Sequence, residues 1–201
     1  MRYRSYRDFS FGLIEFLIAA NLILFIATSI RPELFISTFG LQPAVFLEKP
    51  WTIVTNLFIH SPFPDIWHIL GNMLTLYFFG SYLIQLVGER EFLIVYFIGG
   101  ILGNVFYLVS VLYLGVGSPY SPAIGASGAI FAVAGALAVM RPQLRVFVFP
   151  IPVPVPLWAA VIGGFLIMSF FPGVAWQAHL GGLVFGLIAG YFFRGRERRF
   201  Y

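Results

Sequence analysis

Two residues of this chain, Ser127 and His179, have the types needed for covalent hydrolysis and lie in otherwise apolar stretches. A serine hydroxyl becomes a nucleophile when a nearby histidine accepts its proton, so this pair is the minimum set for acyl transfer. Two further polar side chains, His68 and Asn72, interrupt another apolar stretch. Because polar groups in apolar surroundings are costly, each of the four is a candidate functional residue. We expect Ser127 to act as a nucleophile and His179 as its general base.

The composition of the chain indicates the solvent in which these side chains must work. Of its 201 residues, 60% are hydrophobic and only 10% are charged, whereas a soluble domain has about a quarter of its residues charged. A helix that crosses a bilayer needs about 20 mostly apolar residues. We therefore predict an all-α membrane protein, a single domain over residues 1–201, with six transmembrane helices in a compact bundle. The predicted spans are residues 11–30, 66–87, 92–115, 122–140, 156–171 and 175–193.

The basic residues predict the orientation of these spans. Ten of the 12 Lys and Arg residues fall on one side of the membrane if the six spans alternate, and short loops rich in these residues stay in the cytoplasm. Both termini are therefore predicted to be cytoplasmic, and the first span is expected to be retained because it lacks a small-residue cleavage site. This placement explains the net charge of +4 without a nucleic-acid partner. The inner residues are Arg2, Arg4, Arg7, Arg90, Arg141, Arg145, Arg194, Arg196, Arg198 and Arg199, and the outer ones are Arg31 and Lys49.

The predicted topology places the four candidate side chains in one layer. His68 and Asn72 lie in the first two turns of the second span and, spaced i and i+4, share one helix face. Ser127 lies about five residues into the fourth span and His179 about four into the sixth, so at about 1.5 Å per residue all are within roughly 10 Å of the outer helix ends. Three segments distant in sequence thus meet at one depth, towards the extracytoplasmic side.

Glycines beside the serine and the histidine explain how the fourth and sixth spans can approach each other. Gly125 and Gly128 flank the serine, while Gly182 and Gly186 follow the histidine on the last span. Small residues at four-residue spacing let helix backbones come into close contact in membranes. Close contact of these two spans is what a hydrogen bond between the serine and the histidine requires.

The longest connection, residues 31–65, is predicted to lie outside the membrane yet carries many apolar and aromatic side chains. An ordinary exposed loop does not carry such a load. We expect this segment to fold back towards the membrane interface and to pack against the helices.

The residue inventory predicts neither a metal nor a cofactor. The chain has no cysteine, so a disulfide and a thiolate metal site are excluded, and three histidines are too few for most all-histidine metal sites. The fourth and sixth predicted spans contain no carboxylate, and Asp65, the acid nearest to the right depth, is not assigned a role. We therefore expect a two-residue serine–histidine pair, with backbone N–H groups in the first turns of the fourth span stabilising an oxyanion.

Three short motifs resemble those of the rhomboid family of intramembrane proteases. Residues 125–128, Gly-Ala-Ser-Gly, resemble its GxSG nucleophile motif, and residues 178–186 resemble the AHxxGxxxG motif of its last helix. Residues 68–72 resemble the HxxxN pattern of its second helix, with His60 upstream. The resemblance covers residues 51–190, with the motifs in the family's order and on three different predicted spans.

The resemblance implies a serine endopeptidase that cuts transmembrane protein substrates in or near the outer ends of their helices. It adds His68 and Asn72 as side-chain donors to the oxyanion, alongside the backbone near Ser127. It also implies an aromatic ring that supports the histidine, for which Phe106 is the candidate. The implied partners are transmembrane substrates and the lipid bilayer, with no nucleic acid and no metal. We further expect a multi-pass protein in the plasma membrane of a prokaryote.

Two other functions compete with proteolysis. A non-catalytic rhomboid-like protein that binds transmembrane segments would not need both the serine and the histidine. A small transporter would more often show internal repeats or helices broken at mid-membrane, and the sequence shows neither. The short fifth span, which follows prolines that include Pro150, is either a lateral gate for substrates or an extended connector.

Overall fold

The computed structural model describes residues 7–148 and 151–197, and most of these residues are helical. Predictions that involve Arg2, Arg4, Pro150, Arg198 and Arg199 lie outside the described residues. A two-stranded antiparallel ribbon connects two of the helices, with β1 at Arg145–Val146 and β2 at Val155–Pro156. The helices are α1 Arg7–Ile30, α2 Pro32–Phe39, α3 Thr52–Thr55, α4 Ile66–Thr75, α5 Ser81–Val87, α6 Glu89–Leu112, α7 Ser127–Met140, α8 Leu157–Ser169 and α9 Trp176–Glu197.

Four helical segments in the described part of the chain are long and apolar enough to cross a membrane. They are Gly12–Ile30, Ile66–Val87, Glu89–Leu112 and Trp176–Gly195. The second of these is continuous because a π-helical turn, Leu76–Gly80, joins α4 to α5. Two further apolar helices are shorter, α7 with 14 residues and α8 with 13. The architecture is therefore a mostly helical bundle with four candidate membrane spans.

The residues between α1 and α4 fold into short helices instead of an open loop. A 3-10 turn, Pro43–Val45, separates α2 from α3, and a second one, Asn56–Phe58, follows α3. The Trp51 indole N–H donates a 2.9 Å hydrogen bond to the Thr38 carbonyl, and Leu57 is buried to 1% exposure against the bundle. The segment thus packs against the helices as the sequence predicts, while its position relative to a membrane stays a prediction.

Helix α7 lies at the centre of the bundle. Eleven of its 14 residues are buried, because its alanines and glycines let α6 and α9 pack directly against its backbone. A Cβ atom on Gly182 would collide with the Gly128 carbonyl, and one on Gly186 with the Ala132 carbonyl. On the other side, a Cβ atom on Gly99 would collide with the side chain of Ala132. Close contact between the helices that carry the serine and the histidine therefore occurs at the glycines of α9.

The helix that carries the serine begins later than the sequence predicts. Residues 122–126 are the predicted first turn of the fourth span, but α7 begins at Ser127. Gly125 has φ of +111°, which glycine adopts readily and an α-helix does not allow. Before it the chain is extended, and Leu41 and Ala123 form an isolated antiparallel bridge. Ser127 is therefore the first residue of α7, at the N-terminal end of the helix.

Candidate active site

The side chains of Ser127 and His179 meet across the packed faces of α7 and α9. The Ser127 Oγ and His179 Nε2 atoms are 2.7 Å apart, which is a hydrogen-bond distance. For the serine to donate, Nε2 must be unprotonated, and the neutral imidazole then carries its proton on Nδ1. The arrangement is that of a hydroxyl group whose proton the imidazole can accept.

The His179 ring is oriented by packing. Its Nδ1 atom is buried and has no hydrogen-bond partner among the described residues, so no carboxylate there holds the ring. The ring of Phe131 lies against it instead, with the centroids 4.8 Å apart and the planes inclined by 32°. Phe131 follows Ser127 by four residues, so one face of α7 presents both the hydroxyl group and the aromatic contact.

Phe106, the aromatic residue expected to support the histidine, lies elsewhere. Its side chain is 38% exposed, and its Cβ atom faces Gly181 of α9. The ring in contact with His179 belongs to Phe131, and the prediction is corrected accordingly. The sequence did contain a signal for the right residue, since Phe131 lies one helical turn after Ser127 and therefore on the same helix face.

The backbone that leads into Ser127 is held by the connection between α1 and α4. The Gly125 N–H donates a 3.0 Å hydrogen bond to the Asn56 carbonyl. Leu41 and Ala123 exchange two backbone hydrogen bonds, of 3.0 Å and 2.8 Å. The chain is thus fixed up to Gly125 and turns there into α7. The first N–H groups of α7 have no partner within the helix, and the positive end of the helix dipole lies with them.

His68 reaches the same site from α4. Its Nε2 atom lies beside Gly125, where an added Cβ atom would be 2.7 Å from it. Its Nδ1 atom accepts a 3.3 Å hydrogen bond from the Ser61 backbone N–H and lies 2.9 Å from the Ser61 hydroxyl. Because a backbone N–H can only donate, Nδ1 is unprotonated and the proton of the neutral ring is on Nε2. His68 therefore presents an N–H donor beside the turn that leads to Ser127.

Asn72 lies one turn after His68 on α4 and is 8% exposed. Its side-chain N–H₂ group donates a 2.7 Å hydrogen bond to the His68 carbonyl. This bond occupies one of the two N–H groups of the amide and leaves the second available. The structure thus brings His68 to the segment before Ser127, while a role of Asn72 towards an oxyanion stays a prediction.

His60 lies in the connection between α3 and α4 and is fully buried. Its ring is 5.1 Å from the ring of His68, and it also lies beside the Phe58 backbone. Burial, and to a lesser extent the neighbouring His68, lowers the pKa of His60 to about 3. His60 is therefore a neutral packing partner of His68 near pH 7.

Within residues 7–148 and 151–197, no group of three or more His, Cys, Asp or Glu side chains is placed to hold a metal ion. The groups that meet at the site are a hydroxyl, imidazoles and amide N–H groups. Sequence reasoning missed three contributors to this arrangement: Phe131, Ser61 and Asn56. Asn56 acts through its backbone carbonyl, and Ser61 through its backbone N–H and its hydroxyl. The backbone contacts cannot be recognised from residue types.

Comparisons with known proteins agree on one family. A family model described as a Rhomboid domain matches residues 47–196. Rhomboid protein 1, mitochondrial, of Saccharomyces cerevisiae is 30% identical over 176 residues, which cover 79% of this chain and 49% of that protein. RHOMBOID-like protein 12, mitochondrial, of Arabidopsis thaliana is 34% identical over 156 residues, 69% of this chain and 45% of that protein. RHOMBOID-like protein 9, chloroplastic, of the same plant is 29% identical over 144 residues, 71% of this chain and 31% of that protein.

These relatives also correct one prediction. The chain spans about half the length of the yeast protein and of RHOMBOID-like protein 12, and about a third of the length of RHOMBOID-like protein 9. The names of the relatives place them in mitochondria or in a chloroplast, whereas the sequence analysis predicts a prokaryotic plasma membrane. That prediction is wrong on this finding. Hydropathy and charge bias identify a bilayer and an orientation, but they do not distinguish one membrane from another.

Proposed function

This chain belongs to the rhomboid family, and from that premise we propose that it is an intramembrane serine endopeptidase that uses Ser127 and His179. The observation that carries the proposal is the 2.7 Å contact between Ser127 Oγ and His179 Nε2. A protein that only binds transmembrane segments has no need for a hydroxyl group aligned with a buried imidazole. The non-catalytic alternative and the transporter therefore become outcomes of the test below.

The reaction begins when Ser127 Oγ attacks the scissile carbonyl carbon and its proton passes to His179 Nε2. The imidazolium then gives this proton to the leaving amine as the peptide C–N bond breaks, which leaves an acyl group on the serine. In a second step water attacks the acyl carbon and gives a proton to His179. The ester bond to Ser127 Oγ then breaks, and the imidazolium returns its proton to Oγ. The second product leaves as a carboxylic acid and the serine hydroxyl is restored.

The tetrahedral intermediate needs donors for its oxyanion. Two groups support this role: the backbone N–H groups at the start of α7, and the Nε2–H of His68 beside Gly125. The second N–H of the Asn72 amide is a third candidate. Removal of one such donor lowers kcat by about 10²–10³-fold in a well-studied protease, and we expect a loss of this order for His68→Ala.

The protein lies in a lipid bilayer, and we assign it six membrane spans. The four long apolar segments are the first, second, third and sixth spans, and the shorter helices α7 and α8 are the fourth and fifth. Both chain ends then lie on the side that carries most of the arginines. Ser127, the first residue of α7, then lies near the membrane surface opposite to the chain ends. The mitochondrial and chloroplastic relatives favour an organellar membrane as its location.

A transmembrane helix is the substrate that such a site can receive. The carbonyl groups of a membrane helix are bonded internally, so the substrate must unwind near its end before Ser127 can reach a peptide bond. Gly or Pro in that part of the substrate lowers the cost of unwinding. We therefore expect cleavage close to the end of a substrate span that is rich in helix-breaking residues.

The test is to reconstitute the purified full chain in liposomes with a model transmembrane substrate and to identify fragments by mass spectrometry. Cleavage by the wild-type chain, and none by folded Ser127→Ala or His179→Ala variants, is the expected result. A fluorophosphonate probe should label the wild-type serine and leave Ser127→Ala unlabelled. Substrate binding without fragments or labelling would identify a binding protein, and transport of a solute would identify a transporter.

EDTA should leave the cleavage rate unchanged, and inhibition by EDTA would point to different chemistry.

A further inference from the structure

The serine–histidine contact depends on how the chain before Ser127 is held, because Ser127 is the first residue of its helix. A residue in that position has no preceding helical turn to fix it. The hydrogen bond from the Gly125 backbone N–H to the Asn56 carbonyl, 3.0 Å long, is one restraint on the residues before Ser127. What holds Asn56 in place therefore matters for the position of the serine.

The side chain of Asn56 forms a reciprocal amide pair with Asn104 of α6. Asn56 Nδ2 donates to Asn104 Oδ1 at 3.1 Å, and Asn104 Nδ2 donates to Asn56 Oδ1 at 2.7 Å. The second N–H of Asn104 donates to the Ile53 carbonyl at 2.8 Å, and the second N–H of Asn56 lies 3.4 Å from the Ala123 carbonyl. Both residues are only 2% exposed. All four N–H groups of the pair are thus directed at protein acceptors in the interior.

Helix α6 serves as a common reference for both sides of the serine–histidine pair. On one side, Asn104 holds Asn56, whose backbone carbonyl binds Gly125 two residues before the serine. On the other side, the neighbouring Gly103 packs so closely on α9 that a Cβ atom there would collide with the Ala178 carbonyl, one residue before the histidine. Adjacent residues of one helix therefore fix the two segments that carry the reacting groups.

We propose that Asn56 and Asn104 are positioning residues whose paired amides set the location of Ser127 relative to His179. The inference rests on the proposed proteolytic function and deepens it. Hydrogen bonds between two amides have a defined direction, whereas apolar contacts do not. Two leucines of similar shape would fill the same space without fixing Asn56's backbone carbonyl in one orientation towards Gly125. The pair thus acts on the reaction through the backbone of the segment before the serine.

Loss of this restraint should appear in the chemical step. A displacement of reacting groups by about 1 Å can lower a rate by about 10²-fold, so we expect Asn56→Leu and Asn104→Leu to lower kcat by up to about that factor. KM should change little, because both side chains are buried in the interior and are not exposed to a substrate helix. The rate of labelling by a fluorophosphonate probe should fall in parallel with kcat, since labelling needs no substrate helix.

The double variant Asn56→Leu/Asn104→Leu distinguishes positioning from simple stabilisation. Each single variant leaves one buried amide unpaired, which costs stability, whereas replacing both partners by apolar groups of similar shape can be nearly neutral. We therefore expect the thermal midpoint of the double variant to recover towards the wild-type value while kcat and the labelling rate stay low. A structural role alone would restore stability and activity together, and that result would overturn the inference.

Asn21→Leu is the matched control. Asn21 is equally buried, donates to the Leu17 carbonyl of its own helix, 2.7 Å away, and has a side-chain interaction with Tyr96. Neither contact involves Asn56, Gly125 or Ser127, so its loss should lower the thermal midpoint and leave kcat unchanged. If Asn104→Leu does not fold, Asn104→Ala supplies the same test, because it also removes the hydrogen bonds to Asn56 and to the Ile53 carbonyl. Wild-type kcat in a folded Asn104 variant would contradict the positioning role. An inactive and unlabelled wild-type chain would instead refute the proposed function on which the inference rests.

Discussion

At the scale of single residues, the histidine of the pair is held by an aromatic ring where many serine hydrolases use a carboxylate. His179 Nδ1 has no partner among the described residues, and the Phe131 ring lies 4.8 Å away. A carboxylate would fix the ring and stabilise the imidazolium form, whereas stacking fixes the plane of the ring alone. The proposed enzyme therefore depends on packing around His179 for the alignment of Nε2 with the serine hydroxyl.

Replacement of Phe131 by Ala should weaken that alignment. An aromatic pair contributes about 0.5–1.5 kcal/mol beyond its buried area, which corresponds to a loss of about two- to tenfold in kcat. Phe131→Tyr keeps the ring and should retain most of the activity. Phe106→Ala is the control, because Phe106 faces Gly181 and lies away from the histidine ring. Steady-state kinetics in liposomes would measure all three, and a larger loss in Phe106→Ala than in Phe131→Ala would reverse the assignment.

Residue types predicted part of this site and missed the rest for a physical reason. Ser127, His179 and His68 were found because a hydroxyl or an imidazole in an apolar span is costly and therefore conspicuous. Phe131 was overlooked because aromatic residues are common throughout a membrane helix. The link between Asn56 and Asn104 joins positions 48 residues apart, and only the folded chain shows that two polar residues face each other.

At the scale of the helices, α7 and α9 approach each other closely because their contact faces consist of glycine and alanine residues. Gly182 and Gly186 lie against the carbonyl groups of Gly128 and Ala132. Helix association in a bilayer gains little from the hydrophobic effect, so van der Waals contact between backbones is a main source of stability. The same contact sets the distance between the serine and the histidine, which links stability to activity.

Gly186→Ala should therefore reduce both stability and activity. The added methyl group would meet the Ala132 backbone, which cannot move aside as a flexible side chain can, and overpacking of this kind costs about 1–3 kcal/mol. Gly163→Ala on α8 is the matched control, because nothing lies within 4 Å of its added Cβ atom. Thermal unfolding in detergent, followed by an activity assay, should separate the two variants. Equal thermal midpoints would show that the bundle tolerates a wider spacing of α7 and α9.

The sequence predicted these elements better than their ends. Apolar runs identified the helices because a bilayer imposes their length and composition. The apolar pattern predicts a start at Pro122, five residues before the start of α7, because the residues before Ser127 are as apolar as those after it. Only the backbone of Gly125, with φ of +111°, separates the extended segment from the helix. This local choice depends on hydrogen bonds to Leu41 and Asn56, which are distant in sequence.

At the scale of the whole molecule, the proposed six-span topology places the site close to one membrane surface, because the central helix α7 is short. Helix α7 has 14 residues, so at about 1.5 Å per residue it is about 21 Å long, while the hydrocarbon core of a bilayer is about 30 Å thick. The four longer apolar segments, of 19 to 24 residues, can span the full thickness. Water could therefore reach the serine end of α7 without crossing the centre of the bilayer, which hydrolysis requires.

The six-span topology can be tested with single cysteines, because the chain has none of its own. Ser118 and Gln143 are exposed residues just before and just after α7, so a spanning α7 places them on opposite sides of the membrane. In sealed vesicles of one orientation, a membrane-impermeant maleimide should label only one of the variants Ser118→Cys and Gln143→Cys. Detergent should make both reactive, which controls for local burial. A cysteine added after Tyr201 should behave like Gln143→Cys, since both belong to the arginine-rich side. Labelling of Ser118→Cys and Gln143→Cys from the same side would show that α7 does not cross the bilayer and would remove the basis for six spans.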